Sequence, residues 1–280
     1  MNNSLRLQVE KIKKLPTLPV IAQEILALIN DDLVTVNNLV KLIENDPAIS
    51  SKILSVANSA FAGLAYPAKT LNNAVMRIGF DSIRNIALGI SLMTVLGSRN
   101  RPDLLDYNRV FNHSVTVGLI ARLISRRFSP DVPEEIFISG ILHDAGLLVM
   151  NRYFASDYRE VLKAFDKERT LFDTEKEVFG FTHADIGKWL ADKWNLPATV
   201  SDTIMYHHNP SLAQSNERHV CIVHIADYLV SLCIIRPTEQ DYRTVFDPVS
   251  LETLGMSDGD LKDITAEIRS GGFFKGLFMA

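Results

Sequence analysis

Residues 138–150 read ISGILHDAGLLVM, and the rest of the chain is organised around them. Ile138, Ile141, Leu142, Leu148 and Val149 form an apolar helical face, with Gly140 and Ala145 small enough for close approach. The stretch is therefore expected to be one buried helix segment. Into that face it sets an imidazole beside a carboxylate, His143 and Asp144. An aspartate is seldom buried unless a cation, a metal or several donors meet its charge. Taken alone, the pair fits a salt-bridged core aspartate next to a histidine satisfied by a carbonyl. The rest of the chain argues for something else.

On both sides, apolar helical stripes carry more residues of the same kind. His113 shares a face with Val117, Ile120 and Ile124. His183 lies in GFTHADIGKWL, where Thr182 is placed to cap a helix. His207 and His208 end a stripe of Val200, Thr203 and Ile204. Asp227 shares a face with Val220, Val223 and Val230, and no Lys or Arg lies within a turn of it. An aspartate on such a stripe is expensive unless its charge is met. Five of the seven histidines and two aspartates thus fall on inward positions of five helical segments. Independent satisfaction would have to be invoked once for each segment, and a shared site is the simpler account.

Imidazole and carboxylate donors without thiolate suit a divalent metal such as Fe, Mn, Ni or Zn. Seven candidates are more than the four ligands of a structural zinc site, but enough for two ions bridged by an aspartate. Two ions roughly 3.5–4 Å apart can activate water and clamp a phosphate ester. Asp144 is the natural bridge, because its own segment also carries His143. His113, His183, His207, His208 and Asp227 complete the two shells. His143 and Asp144 are the expected catalytic pair. His219 and His224 are read as ordinary core histidines, His224 lying one turn before Asp227, where it could also support the ligands from outside.

The first hundred residues read as short helices with no alternating strand pattern. Thr35 and Thr70 are candidate N-caps, Asp46-Pro47 is a helix restart, and Gly79 is a helix end. Asp81 is expected to cap the helix that carries Ile83, Ile86, Ala87, Ile90 and Met93. The stretch GSRNRPDLLD is the best candidate for a boundary, dividing the chain into helical lobes at 1–105 and 106–280 that pack together. The fold expected is all-α, with the second lobe carrying the site.

Composition narrows the function. A net charge of −4 and a pI near 6.0 give no basic footprint for nucleic acid. Cys221 and Cys233 lack CxxC spacing and read as buried thiols in a reducing compartment. Residues 1–14 are polar and lysine-bearing rather than a signal sequence, and no apolar run is long enough for a bilayer span, so a cytoplasmic location is expected. The apolar tail SGGFFKGLFMA is expected to dock on its own domain.

The order His113, His143-Asp144, His183, His207-His208, Asp227 resembles the ligand series of the HD superfamily of metal-dependent phosphohydrolases. It is most similar to the HD-GYP branch, which hydrolyses cyclic di-GMP. The segments LPTLPVIAQEILALI, IENDPAISSKILSVANSAF and NNAVMRIGFDSIRNIAL resemble the HDOD family, the HD-related output domain. The resemblance covers roughly Leu15 to Leu229 and implies an all-helical bacterial signalling module with an HD-like bundle. Two departures bear on activity. Leu147 stands where the HD-GYP pattern has a lysine, and NPSLAQSNERHV follows His207-His208 in place of a Gly-Tyr-Pro segment. Both weigh against cyclic di-GMP and leave metal binding better supported than catalysis. The expected partner is accordingly either a phosphate-ester small molecule or a signalling protein, for which the metal centre holds the helices together. A di-iron redox site is a third possibility.

Overall fold

The computed structural model describes residues 17–28, 35–60, 67–97, 104–132, 134–165, 169–233 and 244–270, apart from the side chains of residues 59 and 60. Among the described residues every regular element is a helix and there is no strand. Residues 1–16, the heart of the expected boundary at 98–103 and the apolar tail at 271–280 lie outside that set.

The chain begins with α1 (Val20–Ala27), α2 (Val36–Glu44), α3 (Pro47–Ala60), α4 (Leu71–Ile78) and α5 (Phe80–Leu96). Their starts are written locally. The Thr35 side chain accepts from the Asn38 amide in a capping box, and Thr70 accepts from the Asn73 amide. Asp46 Oδ1 accepts from the amides of Ala48 and Ile49, each at 3.0 Å, ahead of the proline that opens α3. Each such cap satisfies amides the helix itself leaves unpaired. One expectation fails here. Gly79, not Asp81, is the N-cap of α5, and Asp81 sits in its first turn facing Arg84 at 3.0 Å. With φ of 92°, Gly79 both ends α4 and starts α5, so no residue is left for a capping side chain. Asn58, on α3, exchanges two hydrogen bonds with the Ala68 backbone, at 3.1 and 2.7 Å, which ties α3 to the approach of α4.

Next come α6 (Tyr107–Phe128), α7 (Ile136–Leu142), α8 (Ala145–Tyr153), α9 (Ala155–Ala164), α10 (Leu171–Phe179), α11 (His183–Lys193) and α12 (Ala198–Tyr206). A short 3₁₀ turn at Pro210–Leu212 leads to α13 (Glu217–Cys233), α14 (Val249–Leu254) and α15 (Asp258–Arg269). The stretch 138–150 is two helices rather than one. Helix α7 stops at Leu142, His143 and Asp144 form a turn, and α8 restarts with Asp144 (φ −100°, ψ 12°) at its N-cap. A continuous helix would send two successive side chains about 100° apart around its axis. The break lets both face the same point.

Helix α6 is the central post. It packs against α7 and α13, while α5 packs on α7 and α8, and α11 packs on α8 and α12. One apolar cluster runs from Ala22 to Ile204 and includes Val115 and Leu119 of α6. A second, from Val117 to Ile268, takes Val117, Ile120 and Ile124 of α6 together with α13 and α15. Ile25, Leu39, Ile53 and Ile225 are wholly buried, and each such side chain contributes about 1.5–3 kcal/mol. Two glycines allow the approach that builds the site. A Cβ on Gly140 would lie 2.6 Å from Gly118 Cα, so α7 crosses α6 backbone to backbone. A Cβ on Gly146 would lie 1.9 Å from the His183 carbonyl oxygen, so α8 abuts the start of α11. Among the described residues no helix is long and apolar enough to cross a membrane.

Candidate metal centre

Five elements converge behind these crossings. Helix α6 carries His113, the α7–α8 turn carries His143 and Asp144, α11 opens on His183, α12 runs into His207 and His208, and α13 carries Asp227. Thr182 holds the start of α11 through a capping box with Asp185, which sets His183 as the first helical residue. The side chains fall into two groups of potential ligands, Asp144 with His183, His207 and His208, and His113 with His143 and Asp227. All seven candidates from the sequence lie in one or the other.

Asp144 faces both groups. Its Oδ1 lies 3.3 Å from His183 Nε2 and 3.6 Å from His207 Nε2. Its Oδ2 lies 3.2 Å from His143 Nε2 and 3.6 Å from His113 Nε2. Asp227 Oδ1 lies 3.0 Å from His113 Nε2 and 3.8 Å from His143 Nε2, and the Nε2 atoms of His183 and His208 are 3.0 Å apart. Bonds of about 2.0–2.1 Å to a tetrahedral ion put neighbouring donors ~3.3 Å apart. The observed separations bracket that value.

The outer nitrogens say which way each ring is used. His143 Nδ1 donates to the Gly140 carbonyl at 2.7 Å, and His207 Nδ1 donates to the Ile204 carbonyl at 2.8 Å. Those bonds place a proton on Nδ1 and turn Nε2 inward, the orientation ligating histidines require. The Nε2 atoms of His143 and His207 are buried without a hydrogen-bond partner. An orphaned buried polar atom is costly, and two aimed at one carboxylate fit a cation between them. His183 is held by Glu175, whose Oε2 accepts from both its Nδ1 and its backbone amide at 2.7 Å. Tyr158 donates to Glu175 Oε1 at 3.1 Å, and both residues are fully buried.

Charge follows this geometry. Burial opposes the imidazolium at His143, yet the Asp144 carboxylate and then Asp227 raise it to about 9. Burial is likewise outweighed at His183, which Glu175 and Asp144 raise to about 10. Burial also opposes ionisation of Asp144, but His143, with His183 and His207, holds its carboxyl well below the usual range. Asp227 is held low against burial by His113 and His143. His207 and His208 are pushed down by burial. The centre therefore offers ionised carboxylates and two neutral imidazoles, His207 and His208, while His143 and His183 hold a proton that a divalent cation would have to displace from Nε2.

Glu175, Tyr158 and Thr244 support the site and are absent from the sequence reading, whereas His224, which that reading placed one turn before Asp227, supports it too. Glu175 sits in a charged run, LFDTEKEVF, with nothing in the pattern to distinguish it from a solvated residue. His224, read as a core histidine, donates from Nδ1 to the carbonyl of His207 at 2.7 Å. His219 is buried at the start of α13. Lys188, five residues after His183, points its ammonium at Asp192 and Ser201, each at 3.0 Å. Leu147 is buried. The centre meets solvent towards His113 and His208, which are partly exposed, with the Phe172 ring 4.8 Å from that of His208.

Comparison with known proteins gives the same architecture. A family model described as the HDOD domain matches residues 15–210. The chain is 29% identical over 208 residues to an uncharacterized protein of Treponema pallidum (strain Nichols). That match takes in 71% of this chain and spans 39% of the longer relative. A crystal structure of an HDOD domain protein with unknown function from Geobacter sulfurreducens aligns with a TM-score of 0.79 at 26% identity, over 99% of this chain and 98% of that one. A Shewanella amazonensis SB2B structure named "Putative phosphohydrolase" aligns with a TM-score of 0.73 at 22% identity, over 95% of each chain.

Proposed function

The chain belongs to the HDOD family, and from that premise we propose that it is a cytoplasmic bacterial signal-transduction protein whose binuclear metal centre hydrolyses a phosphate ester. The observation that carries this reading is the pair of orphaned Nε2 atoms around Asp144, each of whose oxygens faces a different set of imidazoles. We assign His183, His207 and His208 to one ion, His113, His143 and Asp227 to the other, and Asp144 to both, with His143 and Asp144 closest to the chemistry. The ions, Fe, Mn, Ni or Zn, would supply Lewis acidity to activate water and to neutralise phosphoryl charge. The chain's own residues do the positioning. Gly140 and Ile204 carbonyls fix two imidazoles, Glu175 fixes a third, and the apolar shell keeps bulk water from the buried side. We take the ligand's approach to be past His113 and His208, and the lobes at 1–105 and 106–280 to share the α5–α7 packing.

A second reading has its own support. With Leu147 buried and Lys188 bound to Asp192 and Ser201, these two positions supply no cation for a phosphate. A catalytically silent centre that holds the helices together while another surface binds a signalling protein fits those two facts.

Elemental analysis of the purified chain beside Asp144→Ala, together with an assay on a model phosphodiester, separates the readings. Hydrolysis requires about two ions per chain, lost in the variant along with chelator-sensitive turnover. Two ions without turnover support the silent centre. A metal-free wild type whose stability is indifferent to added ions sinks the metal centre altogether.

A further inference from the structure

The family match stops at residue 210, but Asp227 and its surroundings lie beyond it. Residues 244–247 run back along α13 and touch the centre from outside. The Thr244 hydroxyl donates to Asp227 Oδ2. The Asp247 amide donates to His224 Nε2 at 2.9 Å, and the Phe246 ring lies 4.8 Å from Tyr228 and 5.9 Å from His224. His224 uses its other nitrogen on the His207 carbonyl, so both its ring nitrogens are engaged within the protein and neither is left for an ion.

The contact between Thr244 and Asp227 is selective. Oδ2 is occupied by the hydroxyl, while Oδ1 is left facing His113 at 3.0 Å and His143 at 3.8 Å. A carboxylate free to turn about its last bond presents either oxygen or both. A donor fixed on one of them makes it a single-oxygen ligand of defined direction. Thr244 is 8% exposed and Asp227 3%, so water does not readily stand in for the missing hydroxyl. The other group of ligands is held by different partners, Glu175 at His183 and the Ile204 carbonyl at His207.

Resting on the metal-centre reading above, we propose that Thr244 is a positioning residue for the ion at His113, His143 and Asp227 only. The Thr244 hydroxyl governs occupancy of that half of the pair, and the half held by Asp144, His183, His207 and His208 fills without it. The two ions are therefore unequal, and the second is conditional on a segment outside the family match.

The test is a Mn2+ titration of the full chain by calorimetry, with bound metal counted after gel filtration, for wild type, Thr244→Val and Thr244→Ser. Valine keeps the shape and removes the donor, while serine restores the donor. The expected result is two ions in wild type and in the serine variant. In the valine variant one ion keeps wild-type affinity and the other is weakened about 10–100-fold. A role in packing alone would lower the thermal midpoint and leave the count at two. Two wild-type affinities in Thr244→Val, or equal weakening of both ions, overturn the inference while the metal centre stands. A wild-type chain that takes up no Mn2+, and none of the Fe2+, Ni2+ or Zn2+ tried in the same way, overturns the underlying reading and this inference with it. If valine fails to fold by circular dichroism, Thr244→Ala takes its place, and loss of one ion or neither decides the matter in the same way.

Discussion

Among the described residues Asp144 pairs with no lysine or arginine, and its four ion pairs are all with histidines. That distinguishes it from a carboxylate held by a buried arginine, which this protein also contains. Glu134 accepts from Arg122, whose other guanidinium nitrogen reaches Ser82 on α5 at 2.6 Å, and from Arg126 at 2.8 Å. Burial pushes the Glu134 carboxyl up, but the bonds from Arg122 and Arg126 bring it below its ordinary value. A carboxyl whose folded pKa is depressed stabilises the fold above its unfolded pKa and loses that contribution as pH falls through the folded value. Glu134→Gln is therefore expected to cost about 1 kcal/mol at neutral pH, since partial exposure screens part of the pair. In acid, below the ordinary carboxylate range, the gap between variant and wild type should narrow. Thermal midpoints at the two pH values check this; an undiminished gap in acid would assign the loss to packing instead.

At the scale of elements, the centre depends on helices that touch without side chains between them. Gly146 of α8 lies against the carbonyl of His183, and the same helix follows the turn that presents Asp144. A methyl there would strike backbone rather than a flexible side chain, so α8 and α11 must separate. Gly146→Ala is expected to destabilise the protein by about 3 kcal/mol or more, at the upper end for overpacking. It should also reduce metal uptake, because Asp144 and His183 ride on the two helices being forced apart. Chemical denaturation with a parallel metal count tests both parts. A variant as stable as wild type would mean that this crossing is looser than its geometry. The turn between α7 and α8 is the complementary device. By ending one helix at Leu142 and starting the next at Ala145, it exposes successive side chains to one point, with no side-chain cap at the start of either helix.

At the scale of the molecule, the proposed ions join five elements that are distant in sequence, from His113 to Asp227. An ion that binds the folded chain alone stabilises it by mass action, about 4 kcal/mol at a thousand times its dissociation constant. For a chain of this size that corresponds to a midpoint shift on the order of 10 °C. Removing metal with a chelator should lower the melting temperature by about that much, and restoring Mn2+ or Zn2+ should recover it. An unchanged midpoint, with ions demonstrably removed, would mean that the two apolar clusters hold the fold unaided and the ions serve chemistry alone.

Local interactions made much of this protein legible before any tertiary contact was known. Capping at Thr35, Thr70 and Thr182 lies within three residues of its partner, and the stripes of α6, α12 and α13 follow from a period of 3.6. Charge that cannot be met within a turn, as at Asp227, marks a buried polar residue whose partner must come from elsewhere. That reasoning was enough to select the seven residues that converge. It was not enough to divide them into two groups, because the division depends on which oxygen of Asp144 faces which ring. Nor could it find the turn inside 138–150, where apolar periodicity continues through the break and hides it. Glu175, Tyr158 and Thr244 escaped for a further reason. Each is an ordinary surface-type residue by pattern, buried only because another segment folds over it, and its role is a hydrogen bond across 8 to 17 residues. Periodicity and capping are encoded by neighbours, so sequence determines them. Ligand geometry and its outer supports are distances between helices, and only the packing of α6, α8, α11 and α13 decides those.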